Sequence, residues 1–218
     1  MAYPATFDVQ RPTQSFDRGQ TALRVLLIIV LYWLLNSVVD IAWWALPVFA
    51  AILISQKGGQ RYLEEADKGP VTWIRLIMGF HNYSALLSDK LPLENPAELV
   101  DFKVQPTGTP SVGQALLRII LAIPHFIVLG ILGFIGAVVW FFMVITVLMN
   151  GTYPEWAYNY FRGYFKWTAR VLAYLASLVD EYPPFSFSDN GAAAPAPARP
   201  AAPPPPTQSP PPPAPPQS

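Results

Sequence analysis

The sequence contains no cysteine. That excludes disulfide staples, thiol nucleophiles and thiolate-held metals. Charge is scarce too, at 13% of residues, against roughly 25% in average soluble domains. Fourteen Lys and Arg balance fourteen Asp and Glu, so there is no basic excess of the kind that nucleic-acid binding needs. The two histidines, His81 and His125, stand far apart in the chain and at no metal-ligand spacing. There is no phosphate-cradling glycine loop, no Ser–His–acid arrangement, and no acid/base pair of carboxylates on one expected face. Together these absences lead us to expect no enzyme and no cofactor.

What the chain has in excess is apolar length. Of its 218 residues, 52% are hydrophobic, and they concentrate in two runs, Leu23 to Ile54 and Leu116 to Met149. Each exceeds the ~20 residues needed to cross a hydrocarbon core. The first is also far longer than the ~7–15 residues of a signal-peptide core, and no small-x-small cleavage site follows it. Past residue 191 the composition changes to Ala, Pro, Ser, Thr and Gln, with proline runs at Pro203–Pro206 and Pro210–Pro213. Such a tail favours polyproline II and forms no core. It reads as a disordered spacer over 191–218.

The two apolar runs belong to two copies of one pattern. Gly19, Gln20, Leu23 and Arg24 recur 94 positions later as Gly113, Gln114, Leu117 and Arg118, and Pro12 recurs as Pro106. Phe7-Asp8-Val9-Gln10 recurs 95 positions later as Phe102-Lys103-Val104-Gln105. Trp73 matches Trp167 at 94, after which the register slips and Ser88-Asp89-Lys90-Leu91-Pro92 answers Val179-Asp180-Glu181-Tyr182-Pro183. Each copy reads as a short extended segment, a long apolar run, a break (Lys57-Gly58-Gly59 or Asn150-Gly151-Thr152-Tyr153-Pro154), and a mixed aromatic helix closed by a turn. The expected fold is therefore an all-α integral membrane protein of two tandem modules, residues 3–94 and 98–188. Each module comprises a long apolar helix or helical hairpin and an amphipathic, aromatic-rich helix.

Arg118, Ile123-Pro124-His125, the long apolar run, Asn150-Gly151, Tyr153-Pro154, an aromatic helix and Asp180 to Phe185 together resemble the bacterial membrane family catalogued as domain of unknown function 4389. The resemblance covers the second module closely. The first module departs from it, with no Pro-His after Arg24 and Lys-Leu-Pro-Leu in place of Tyr-Pro-Pro-Phe. It implies a bacterial plasma-membrane location and a fold, and brings no activity with it.

Arg162, Lys166 and Arg170 recur every fourth residue and so share one helix face, opposite Trp156, Phe161, Tyr164, Trp167 and Leu172. A basic stripe against an aromatic face is what an interfacial helix needs, with its cations on anionic lipid headgroups. Three polar residues fall within or beside the apolar runs. Asn36 and Asp40 lie mid-run, where a carboxylate in hydrocarbon marks a functional hypothesis or else a hairpin apex at the far interface. His125 follows Pro124 and is placed to bond a backbone group freed by the proline. Gly130, Gly133 and Gly136 allow either close helix packing or a loose turn.

Basic residues flank both ends of each run, which places both ends in the cytoplasm. Two hairpins satisfy that, with breaks near Asn36-Ser37 and near the glycine triplet. Cysteines placed at Ser15, Gln60, Thr107, Thr152 and Ser209 would then all face the cytoplasm, so the N-terminus and the tail do too. One long tilted helix per module would instead make the modules inverted repeats. With no reactive constellation, the expected role is a non-catalytic accessory or scaffold subunit, with a membrane-protein partner or a second copy of itself. Transport through Asp40 and Asn36, or a membrane-shaping wedge, are the alternatives.

Overall fold

The computed structural model describes residues 3–90 and 100–188, with the backbone alone over 32–42. The proline-rich tail, the junction between the expected modules, and the side chains of Asn36 and Asp40 lie outside the described residues. The order is β1 (Ala5–Asp8), α1 (Arg18–Lys57), α2 (Gly59–Glu64), a 3-10 turn (Ala66–Lys68), α3 (Pro70–Ser84), β2 (Asp101–Val104), α4 (Val112–Leu121), α5 (Ile123–Asn150) and α6 (Glu155–Leu175).

Local chemistry sets the boundaries. The Asp17 carboxylate accepts from the Gln20 backbone N–H at 2.8 Å and starts α1. Ser111 and Gln114 form a reciprocal capping box that starts α4. The α4–α5 boundary falls at Ala122, where Pro124 occupies the first turn of α5. Gly58 (φ 81°) ends α1 and Gly151 (φ 70°, left-handed) ends α5.

The expected hairpins are not formed. Helix α1 runs unbroken for 40 residues through Asn36-Ser37 and Asp40, about 60 Å at 1.5 Å per residue. Helix α5 runs unbroken through the glycine triplet. Gly133 and Gly136 serve packing instead. A methyl group on Gly133 would sit 3.2 Å from the Tyr164 hydroxyl, and one on Gly136 would sit 3.4 Å from the Tyr160 ring. No side chain at these two positions means α6 can lie close against α5.

Helices α1 and α4–α5 lie side by side and antiparallel. At one end the Phe16 N–H donates to the Gly151 carbonyl at 2.8 Å, and Arg18 donates to the Met149 carbonyl at 3.0 Å. Midway, Trp43 and Trp44 pack on Phe126, with centroids 5.9 and 4.9 Å apart. At the other end Gly59 abuts the Pro110 carbonyl. Helix α6 crosses behind this pair, and on its far side lie the two strands.

The strands form an antiparallel pair in the register Ala5↔Val104, Thr6↔Lys103, Phe7↔Phe102, Asp8↔Asp101. Phe7 and Phe102 point into the core at 2% and 1% exposure, while Thr6, Asp8, Asp101 and Lys103 face outward. The expected extended segments are thus each other's partners. The two phenylalanines that correspond in the sequence repeat sit opposite one another, at the position where a local two-fold axis would pass.

Candidate functional site

Three features stand out: a matched pair of arginine clasps, a buried cationic helix, and a long apolar outer face. The clasps come from the repeated arginines. Arg118 (4% exposed) donates to the Tyr174 carbonyl at 2.8 Å, to the Val179 carbonyl and to the Asp180 carboxylate at 2.5 Å, with its guanidinium 4.6 Å from the Tyr174 ring centroid. Arg24 does the same with the Tyr83 carbonyl at 2.9 Å, the Ser88 carbonyl and Asp89 at 2.5 Å, lying 4.3 Å from the Tyr83 ring centroid. The arginines are 94 positions apart and their three partners 91 apart.

Each clasp closes on a helix end of the same geometry. The first residue past each end is followed by one in the left-handed region, Leu86 (φ 59°) and Ser177 (φ 54°). The next N–H then reaches back, Leu87 to the Asn82 carbonyl at 2.9 Å and Leu178 to the Ala173 carbonyl at 3.0 Å. The arginine adds a second donor to the Tyr83 or Tyr174 carbonyl, which already accepts from the Leu86 or Ser177 N–H, and serves the Ser88 or Val179 carbonyl beyond the helix. A guanidinium suits this place because its planar fork can serve several acceptors at once.

Two buried tyrosines exchange across the molecule. The Tyr153 hydroxyl donates to the Ala85 carbonyl beside the first clasp at 2.8 Å, and the Tyr62 hydroxyl donates to the Ala176 carbonyl beside the second. Both are nearly fully buried. Each first-half tyrosine or carbonyl has its counterpart 91 positions on. That spacing also revises one sequence match: in the second helices the structural offset is 91, so Trp73 answers Tyr164 and not Trp167. Trp73 is exposed at 64%, whereas Trp167 is buried.

Helix α6 was expected to lie at a membrane interface. It is instead among the most buried elements, enclosed from Phe165 through its C-terminus. Its cations turn inward or toward the strands. Arg162 donates to both oxygens of Asp8 at 2.7 and 3.0 Å. Lys166, 4% exposed, lies 3.9 Å from the same carboxylate. Arg170, 2% exposed, donates to the Ser186 and Ser188 carbonyls of the C-terminal loop at 3.0 and 2.6 Å. The stripe has the expected period, but strand β1 and the loop cover it. Arg162 heads the causes that hold the Asp8 carboxyl below its usual pKa, with the Val9 N–H and Lys166 assisting.

His125 is fully buried in an aromatic box. It stacks on Phe185 at 4.1 Å, lies near Tyr182, and its Nδ1 accepts from the Trp167 indole at 3.1 Å. It therefore bonds a side chain and not a backbone group freed by Pro124. Its Nε2 has no partner. Among the described residues no cluster of three or more His, Asp or Glu could hold a metal ion.

The third feature is the outer face of α1 and α4–α5. Leu23, Leu26, Phe49, Ile127, Ile131, Phe134, Phe141 and Phe142 all stand exposed there, Phe134 at 75%. Apolar exposure on this scale marks a lipid or protein contact. Among the described residues one helix, Ile123–Asn150, is long and apolar enough to cross a membrane, with a mean hydropathy of 2.7.

Among its described residues the chain is thus mostly helical, with one membrane-capable helix and a matched pair of arginine clasps. Residues 113–186 match the family model described as Domain of unknown function (DUF4389). That stretch runs from the start of α4 through the second clasp to the aromatic box and supports the resemblance drawn from the sequence. No curated protein and no solved structure matches the chain.

The clasps, the tyrosine exchange and the role of Asp8 were missed at the sequence level. The signal for the first two was present: Tyr62/Tyr153, Tyr83/Tyr174 and Asp89/Asp180 share the offset of 91. Asp8 gave no signal, because its partner Arg162 lies 154 positions away.

Proposed function

We propose that the protein is a non-catalytic scaffold of a bacterial plasma membrane, made of two copies of one module. The modules are residues 3–94 and 98–188, clasped together by the exchanged tyrosines and strands. The observation that carries the membrane reading is the apolar outer face of α1 and α4–α5, too large to be left in water. The duplication reading is supported by the paired clasps, the paired left-handed residues and the Phe7–Phe102 pairing. Absence of a reactive constellation at any described position favours holding partners over chemistry.

The partner of this scaffold is a second membrane protein or a second copy of itself. Affinity purification of the tagged full chain in several mild detergents tests it. A stoichiometric partner or a defined oligomer is expected. A lone monomer in every detergent overturns the scaffold role, and release of the protein from membranes by alkaline carbonate overturns the membrane reading.

A further inference from the structure

We infer that the two long helices lie in the plane of one lipid leaflet instead of crossing the bilayer, with the strand pair facing water. This rests on the membrane reading above and specifies how the membrane is met. Three observations converge. First, the apolar outer face is too long for a crossing. Among the described residues, exposed apolar side chains stand at both ends of the Leu23–Ile52 stretch of α1, from Leu23 to Val30 and from Trp44 to Ile52, and along the Leu116–Met149 stretch of α4–α5. At 1.5 Å per residue these stretches are about 45 and 50 Å, against a hydrocarbon core of ~30 Å. An upright helix would present polar residues beyond the core at each end.

Second, charge sits at mid-length. The Tyr160 and Tyr164 hydroxyls of α6 donate to the Leu132 and Leu129 carbonyls, near the centre of the α4–α5 rod. From the same turns of α6, Arg162 and Lys166 reach Asp8 on β1. The strand pair thus lies across α6 from the middle of the rod. On it the Lys103 and Asp101 side chains are 76% and 60% exposed, and the Asp8 and Arg162 side chains 51% and 37%. In a crossing orientation these exposed charges would sit at the depth of the bilayer centre, where membrane proteins bury or pair such groups away from lipid.

Third, the two surfaces are segregated by chemistry. The outer face of the rods is apolar at its described positions, and the strand surface across α6 carries the Arg162–Asp8 and Lys103–Asp101 ion pairs. A slab with one apolar and one charged surface fits a single leaflet. The local two-fold axis between Phe7 and Phe102 then stands along the membrane normal, so both modules meet the leaflet alike. The occupant of the apolar face is lipid and not a second copy of the chain.

The chain has no cysteine, so single cysteines in the full-length protein report position without background. We would place them at Ser15, Gln60, Lys103, Thr109 and Thr152, all exposed, and label intact and lysed cells with an impermeant maleimide. Brominated-lipid quenching of a pyrene maleimide on Leu23→Cys and on Phe134→Cys in reconstituted vesicles reads depth. The in-plane arrangement gives one labelling class for all five sites, Lys103→Cys included, and equal shallow depth for the two lipid-facing sites. Ser15 and Thr152 labelling opposite to Gln60 and Thr109, with Lys103→Cys unreactive in water, overturns it while leaving the membrane reading intact. Absence of lipid quenching together with disulfide formation between copies at Phe134→Cys assigns the face to a second copy and also overturns it. Recovery of the protein in the soluble fraction removes both readings at once.

Discussion

The sharpest test of the clasp is Arg118→Met. Methionine keeps an unbranched apolar stem but removes every donor. The variant takes one of two donors from the Tyr174 carbonyl, which keeps the Ser177 N–H, removes the Arg118 donor from the Val179 carbonyl and frees Asp180. A hydrogen bond from a charged donor is worth about 1.5–3 kcal/mol. The ion pair adds well under ~1 kcal/mol, because the Asp180 side chain is 42% exposed and solvent screens it. Recovered guanidinium desolvation offsets part of this, and a net loss of about 3 kcal/mol is expected. At roughly 2–4 °C per kcal/mol for a chain of this size, the midpoint should fall by about 6–12 °C. Tryptophan fluorescence during heating in detergent measures it. Arg24→Met should cost about half as much. The Arg24 side chain is already more open, at 13% against 5%, and its Asp89 partner is 73% exposed. Arg118→Lys should recover little, since one ammonium cannot span three acceptors held by a fork. A shift below ~2 °C for Arg118→Met, or full stability in Arg118→Lys, would refute the reasoning.

Further outcomes follow from the same contacts. Tyr62→Phe and Tyr153→Phe should each destabilise by about 1 kcal/mol through an unpaired buried carbonyl. They share no partner, so the double variant should be additive within ~0.5 kcal/mol in a thermal or denaturant series. Gly59→Ala drives a methyl group into the Pro110 carbonyl, and a melting midpoint lowered by more than that of Gly130→Ala, which meets open space, is expected. The Asp8 carboxyl is depressed in the folded state, chiefly by Arg162. Its contribution is therefore present above the unfolded carboxylate pKa of about 4 and is lost as pH falls through the folded value. Midpoints recorded from pH 7 down to pH 3 should show Asp8→Asn lower at neutrality and converging on the parent protein in acid. Parallel curves would remove Asp8 from the account.

Much of the scaffold was legible in the sequence because it is written in local rules. The Phe7/Val9 and Phe102/Val104 alternation marked the strands, and Ser111 with Gln114 is a start signal that needs no tertiary context. The repeat located both arginines before any partner was known. Two readings went astray for physical reasons. Gly130, Gly133 and Gly136 weaken a helix on propensity, but α5 runs on through them, with Tyr164 and Tyr160 packed close over Gly133 and Gly136. The period of Arg162, Lys166 and Arg170 fixes a common face but not what lies against it. A stripe facing a strand 154 residues distant has the same spacing as one facing headgroups. That α6 carries large apolar groups around most of its circumference, as buried helices do, was the available clue.

The exchanged tyrosines have a further consequence. Each half of the chain supplies the hydroxyl that the other half's helix end requires, and each supplies the strand that the other's strand pairs with. A lone half would therefore present an unmet donor, an unmet carbonyl and a free strand edge, all self-complementary. Two such halves would close with the same contacts made twice about a dyad, which is the geometry of an isologous homodimer. Joining them in one polypeptide turns that second-order encounter into an intramolecular step, independent of how dilute the protein is. It also frees the two halves to differ, as they do where Pro124-His125 in the second has no counterpart after Arg24 in the first, while a dimer of identical chains would have to carry every substitution twice.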